Sequence, residues 1–256
     1  MGIVQGITEW IPVSSDGSVT AVASLLFGMT LSEAFLYAMW LHLGTAFAAL
    51  IVFRKTIQKL ASDLFRQPLK PTPLLVFLIA TTAISGAIAL PIVILVQEAS
   101  GAIGALAMAV VGTFMIVTGL IQMRQPSSGM RLARDVRPID GVVAGIAQGL
   151  AAIPGLSRSG MTIAVLLARG FDRREALFLS FLMSVPVTFA AGLYGGWKTG
   201  ISLTAEALAG FVAAFGVGLL TVRALLALAG RVNFGVFVLA TGVLLIASAV
   251  VQVLFF

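Results

Sequence analysis

Long apolar runs alternate with short basic clusters along this chain, and the runs are of two kinds. Uninterrupted stretches at 31–53, 72–97, 101–123, 175–197, 204–229 and 233–255 are each long enough to cross the hydrocarbon of a bilayer, which takes about 20 helical residues. Two further apolar stretches, 2–27 and 139–168, are broken at their centres by proline, glycine and serine, so neither half of either one reaches across. Backbone in such a break survives at membrane depth only where protein or a watery cavity satisfies it. The pattern therefore predicts an all-α integral membrane protein with six transmembrane helices and two re-entrant helical hairpins.

The two broken stretches say nearly the same thing. Gln5-Gly6-Ile7-Thr8-Glu9-Trp10-Ile11-Pro12-Val13-Ser14-Ser15-Asp16-Gly17 returns as Gln148-Gly149-Leu150-Ala151-Ala152-Ile153-Pro154-Gly155-Leu156-Ser157-Arg158-Ser159-Gly160. The likeness runs on: Ser32-Glu33-Ala34-Phe35-Leu36 through Thr45-Ala46-Phe47-Ala48-Ala49 aligns with Arg174-Glu175-Ala176-Leu177-Phe178 through Val187-Thr188-Phe189-Ala190-Ala191. The chain reads as a single membrane domain, 1–256, of two repeats at about 1–123 and 138–256, joined by a basic loop at 124–137. Each repeat would hold one hairpin and three spans. Three is odd, so the second repeat inserts upside down relative to the first. Inverted repeats of this kind place a site near the midplane, where the N-termini of half-helices favour anions. The expected ligand is anionic and membrane-associated.

Composition agrees with the pattern and narrows it. Hydrophobic residues make up 59% of the chain, charged residues 10%, and the mean hydropathy is +1.09. Soluble proteins average roughly 25% charged residues. The pI of about 10.5 would suggest nucleic acid in a soluble protein, but here the basic residues sit mostly between spans, and no nucleic-acid partner is expected. With both broken stretches returning to the side they entered, four groups share one face: Arg54 to Lys70, Arg124 to Arg137, Arg169 to Arg174, and Arg223 with Arg231. Lys198 falls opposite and Arg158 stays inside. The positive-inside rule makes the crowded face cytoplasmic and puts both termini outside a cell membrane. Residues 54–70 fit a basic interfacial helix on anionic headgroups, or a solvated loop. The chain opens directly into its first motif, without a basic leader or cleavage site, so no removed segment is expected. Absence of cysteine excludes disulfides and a thiolate nucleophile, and a single His42 makes a structural zinc site implausible.

Chemistry concentrates in the two breaks, and it is divided between them. Glu9 lies in an apolar half-helix, where an ionised carboxylate is costly unless paired. Arg158 is the one cation expected at that depth, and its planar fork suits phosphate oxygens or a structural bridge to Glu9. A hydroxyl beside a carboxylate and an arginine has the parts for phosphoryl transfer: nucleophile, proton acceptor and charge stabiliser. Ser15 is the nucleophile candidate, against Ser14 or a bound water. Ser157, Ser159 and Gly160 would surround the anion, and Thr162 would either donate to it or bond back into its own helix. Gln5, one turn before Glu9, could orient the carboxylate or the substrate. Asp16 reads as a helix cap, with a divalent cation as the other use. His42, paired by the repeat with Ser184, reads as a satisfied polar residue lining the core.

The two motifs resemble the signatures of the undecaprenyl-diphosphate phosphatase family, the bacitracin-resistance membrane phosphatases. The likeness extends over essentially the whole chain, including Leu41-His42-Leu43-Gly44-Thr45. It implies hydrolysis of a polyprenyl diphosphate carrier to its monophosphate for cell-envelope glycan synthesis. Glu9, Ser15 and Arg158 would take the catalytic positions, with Gln5, Ser14, Ser157, Ser159, Gly160 and Thr162 around the diphosphate. Asp16 and Ser18 would be accessory, without a dedicated metal site, though Mg2+ or Ca2+ stimulation is compatible. The chain departs from the family at Ser18, where the first motif usually carries histidine. The rival expectation is a lipid-phosphate transporter using the same pocket without hydrolysis. The partners expected are the diphosphate lipid and the surrounding membrane lipids, with a homodimer left open.

Overall fold

Both broken stretches fold as pairs of short helices. In the computed structural model, which describes residues 1–99, 104–124, 129–200 and 204–228 with isolated positions near 239–247, α1 (Gly2–Thr8) and α2 (Ser15–Phe27) flank the first break. After them come α3 (Leu31–Val52), α4 (Arg54–Arg66), α5 (Pro73–Ala99) and α6 (Gly104–Met123). The second break lies between α7 (Pro138–Leu150) and α8 (Arg158–Ala168), followed by α9 (Arg173–Thr199) and α10 (Ala205–Ala227). Among the described residues there is no named strand. The predicted sixth span, 233–255, lies outside them.

Among the described residues, four segments are long and apolar enough to cross a membrane: Ser32–Val52, Pro73–Val96, Arg173–Lys198 and Ala205–Ala227. The outward faces of these helices are as apolar as their inward ones. Ile79, Leu90, Leu95, Leu193, Val212 and Leu220 are all exposed, a surface that water would penalise and lipid would not. Of the two expectations for residues 54–70, the helix is the one found, over Arg54–Arg66. Its basic side carries Arg54, Lys55 and Lys59, while Leu60 is buried.

Glycine sets the packing. The pair α3 and α9 forms the centre, with α10 against α3. Around it α1 packs on α10, and α7 packs on α5. A Cβ added at Gly6 would lie 2.7 Å from the Gly218 nitrogen, and one at Gly149 would lie 2.7 Å from the Ile88 Cβ. Such contacts bring backbones close without a side chain between them. The consequence is a crossed arrangement: the first half of each broken stretch leans on a long helix from the other half of the chain. Trp10 fills the space beside the first break, edge-on to Phe181 at 5.2 Å, and is wholly buried.

The second part of the basic linker does not hang free. Gly129 N donates to Phe171 O at 3.1 Å, Arg131 N to Gly170 O at 3.0 Å, and Asp172 N to Arg131 O at 2.9 Å. The Arg131 guanidinium stacks over Phe171 at 4.2 Å and bonds the buried Asp140. This strap ties the start of α7 to the turn between α8 and α9.

Candidate active site

Pro12 and Pro154 cannot donate a backbone hydrogen bond, so each apolar helix stops near them and its successor needs a new cap. The same device serves both copies. Ser14 caps α2 by accepting from Gly17 N at 3.1 Å, and Ser157 caps α8 by accepting from Gly160 N at 3.2 Å. Asp16, expected as a cap, sits instead in the first turn of α2, and Ser14 does the capping. The two loops also clasp each other. Gly155 N donates to Ser14 Oγ at 3.2 Å, and Ser159 Oγ donates to Ile11 O at 3.1 Å. Gly155 holds φ at 98°, a left-handed value that favours glycine there.

That clasp brings the divided chemistry together. Glu9, the residue at which α1 ends, is buried, and Arg158 Nη2 lies 2.5 Å from its Oε1. Its Oε2 accepts from Ser15 Oγ at 2.9 Å and from Gln5 Nε2 at 2.8 Å. Arg158 Nη1 is buried without a hydrogen-bond partner. It is the natural donor for an arriving anion. Glu9, Ser15, Asp16, Arg158 and Ser159 line one cavity of about 90 Å³, whose other walls include Phe35, Met39 and Val93. Polar groups at one end and apolar walls beside them suit an amphiphile.

The remaining expected residues fall into two groups. Ser14 lines the cavity, but its oxygen is taken by two backbone N–H groups, whereas the Ser15 hydroxyl is aimed at Glu9. Gln5 is wholly buried behind Glu9, a position that orients the carboxylate rather than touches a ligand. Ser157, Gly160 and Thr162 are buried too. Thr162 bonds back to Arg158 O at 2.8 Å and meets Ser180 Oγ at 2.7 Å. The Ser18 hydroxyl donates to Ser14 O at 2.8 Å. It steadies the turn.

One residue was misread from the sequence. His42 does not merely line the core: its Nε2 stands 3.3 Å from Glu9 Oε2 and 3.8 Å from Asp16 Oδ1, and it borders the cavity. The available signal was its being the chain's one imidazole within an apolar span, where an ionisable group is costly to keep. Pairing it with Ser184 through the repeat hid that.

These features define a helical membrane protein whose buried carboxylate, serine and arginine meet where two broken helices clasp. The chain belongs to the family described as bacitracin resistance protein BacA, whose model matches residues 1–247. Among similar proteins, one from Methanococcoides burtonii named undecaprenyl-diphosphatase is 40% identical over 95% of this chain and 94% of its own. Others of the same name are 37% identical in Methanopyrus kandleri, over 91% of this chain and 88% of theirs, and 35% identical in Haloarcula marismortui, over 91% and 89%.

Proposed function

We propose that the protein hydrolyses a polyprenyl diphosphate of the undecaprenyl type to the monophosphate and inorganic phosphate. The observation that carries this is the Ser15 hydroxyl donating to Glu9, with Arg158 on the other oxygen of the same carboxylate. Relatives over nearly the whole chain bear the name undecaprenyl-diphosphatase, which supports the substrate. A diphosphate entering the cavity meets the unpaired Arg158 Nη1 and draws the guanidinium toward itself. Glu9 loses its strongest partner as a result and becomes a better base. It takes the Ser15 proton while Ser15 attacks the terminal phosphorus, and water later releases phosphate from the seryl intermediate. Arg158 and the nearby amides stabilise the charge that builds on phosphorus oxygens.

The same reading includes the membrane architecture: six spans, two re-entrant hairpins, and repeats of opposite orientation, with the basic loops cytoplasmic and both termini outside. The matched serine caps and the crossed packing of α1 on α10 and α7 on α5 support it. The apolar walls of the cavity suit the first prenyl units, and the rest of the tail lies among lipids. A divalent cation would reach the site on the diphosphate, with Asp16 the nearest further carboxylate.

The test is phosphate release from undecaprenyl diphosphate by purified protein in detergent. Release in the wild type that Arg158→Ala abolishes is the expected result. Retained lipid binding without release above that variant would sink hydrolysis and favour the transporter. A Ser15→Ala variant with full turnover would reject the serine nucleophile alone.

A further inference from the structure

His42 has no part in the steps just described, yet it is built into the site. It lies on α3, is almost wholly buried, and its Nδ1 stands 2.9 Å from Ala38 O one turn back. A carbonyl oxygen only accepts, so Nδ1 carries a hydrogen, and in the neutral ring the lone pair is on Nε2. That nitrogen faces Glu9 Oε2 at 3.3 Å and Asp16 Oδ1 at 3.8 Å. The charged groups around it are Glu9 at the end of α1, Asp16 on α2 and, behind Glu9, Arg158 of α8. From the other packed helices, the cavity receives Thr188 of α9 and Val93 of α5. Asp16 Oδ1 is buried and makes no hydrogen bond. A proton placed on Nε2 would be held by two carboxylates at once.

Diphosphate hydrolysis makes such a proton. A phosphate monoester loses its second proton near pH 6, so at neutral pH the two products together carry more negative charge than the diphosphate they came from. One proton is therefore surplus. We infer that His42 Nε2 takes this surplus proton from Glu9 after Ser15 is phosphorylated, and holds it against Glu9 and Asp16 until product leaves. The inference rests on the serine and glutamate roles proposed above.

In the first half, the Ser15 O–H bond breaks and its proton goes to Glu9 Oε2. The Oγ–P bond forms, and the bridging P–O bond breaks with its electron pair leaving on the lipid monophosphate. The proton then crosses to His42 Nε2, and Glu9 is a carboxylate again. In the second half, Glu9 takes a proton from water as the water oxygen bonds phosphorus, and returns it to Ser15 Oγ as the seryl–phosphate bond breaks. The water's hydroxyl ends on inorganic phosphate and its proton on Ser15, while the original serine proton departs from His42. A single carboxylate thereby acts as base twice in one turnover.

The experiment compares kcat and KM for undecaprenyl diphosphate across pH in wild type and His42→Gln, which keeps a polar side chain but cannot hold the proton. Expected is a kcat about 100-fold lower near neutral pH with KM within about threefold, the deficit closing as pH rises and hydroxide strips the proton from Glu9. Two results overturn the inference: a kcat within about threefold of wild type at every pH, or a deficit of constant size across pH, which a purely structural role would give. Asp16→Asn removes one of the two carboxylates facing Nε2 and gives the same signature more weakly. If the His42 variant does not fold, a pH-independent rate ratio for Asp16→Asn overturns the inference. Ser15→Ala separates the two claims, since full turnover there rejects the seryl intermediate while the pH signature of His42 is still readable.

Discussion

Two buried carboxylates in this molecule have opposite surroundings. Asp140, at the start of α7, accepts from Arg131 at 2.5 and 3.2 Å, from Arg169 Nε at 2.8 Å and from Arg137 N at 2.8 Å. Every donor there is a permanent cation or a backbone amide, and none can give up its proton at ordinary pH. Glu9 also pairs with an arginine, but one of its other donors is a serine hydroxyl on a cavity wall, and its arginine keeps one nitrogen unpaired. A saturated carboxylate is a clamp. A carboxylate with an exchangeable donor and a partner with spare capacity is a reaction centre.

The sharpest break of this contrast is Glu9→Gln, which removes the proton acceptor with little change of shape. It should lower kcat about 1,000-fold while the helical circular dichroism is retained, as phosphate-release kinetics would measure. The corresponding change at the clamp, Asp140→Asn, should do the reverse. Stability should fall by about 3 kcal/mol, the low end for a broken buried pair because Arg131 and Arg169 both reach solvent, and the rate per folded molecule should hold. Thermal melting in detergent reads the first quantity and active-site titration the second.

The pH dependence of that difference follows from the same bonds. Burial alone would raise the Asp140 carboxyl, but the hydrogen bonds from Arg131, Arg169 and Arg137 N outweigh it and hold the group below the ordinary aspartate value. Its contribution is therefore full above about pH 3.9 and is lost as pH falls through the lower native value. Melting curves of wild type and Asp140→Asn should converge in acid. Arg158→Lys keeps the charge at the reaction centre but removes the fork, and should lower kcat/KM about 100-fold. Smallest are the matched caps: Ser14→Ala and Ser157→Ala should each cost about 1 kcal/mol in melting experiments.

Proline and serine at the breaks made both helix interruptions legible in the sequence, and the charge difference between the two copies pointed to Glu9 and Arg158. What stayed hidden depended on helix rotation and on distant partners. α3 is apolar all round, so its pattern singles out no face, and nothing local indicates that His42 turns toward Glu9. Asp140 was unreadable for a related reason. Arg131 and Arg169 come to it from before α7 and after α8, joined by a strap whose backbone bonds pair residues around 130 with residues around 171. The crossed glycine contacts were hidden too, because spacing does not say which helix approaches.

The ion pair between Glu9 and Arg158 joins residues 149 positions apart. At a synthesis rate of about 5–20 residues per second, the carboxylate is made roughly 7–30 s before its partner. An unpaired carboxylate is costly in hydrocarbon for all of that time. The first pair of short helices therefore has reason to keep Glu9 near water, or protonated, until the second pair is made. Assembly order, rather than final stability, is where a variant lacking Arg158 would first go astray.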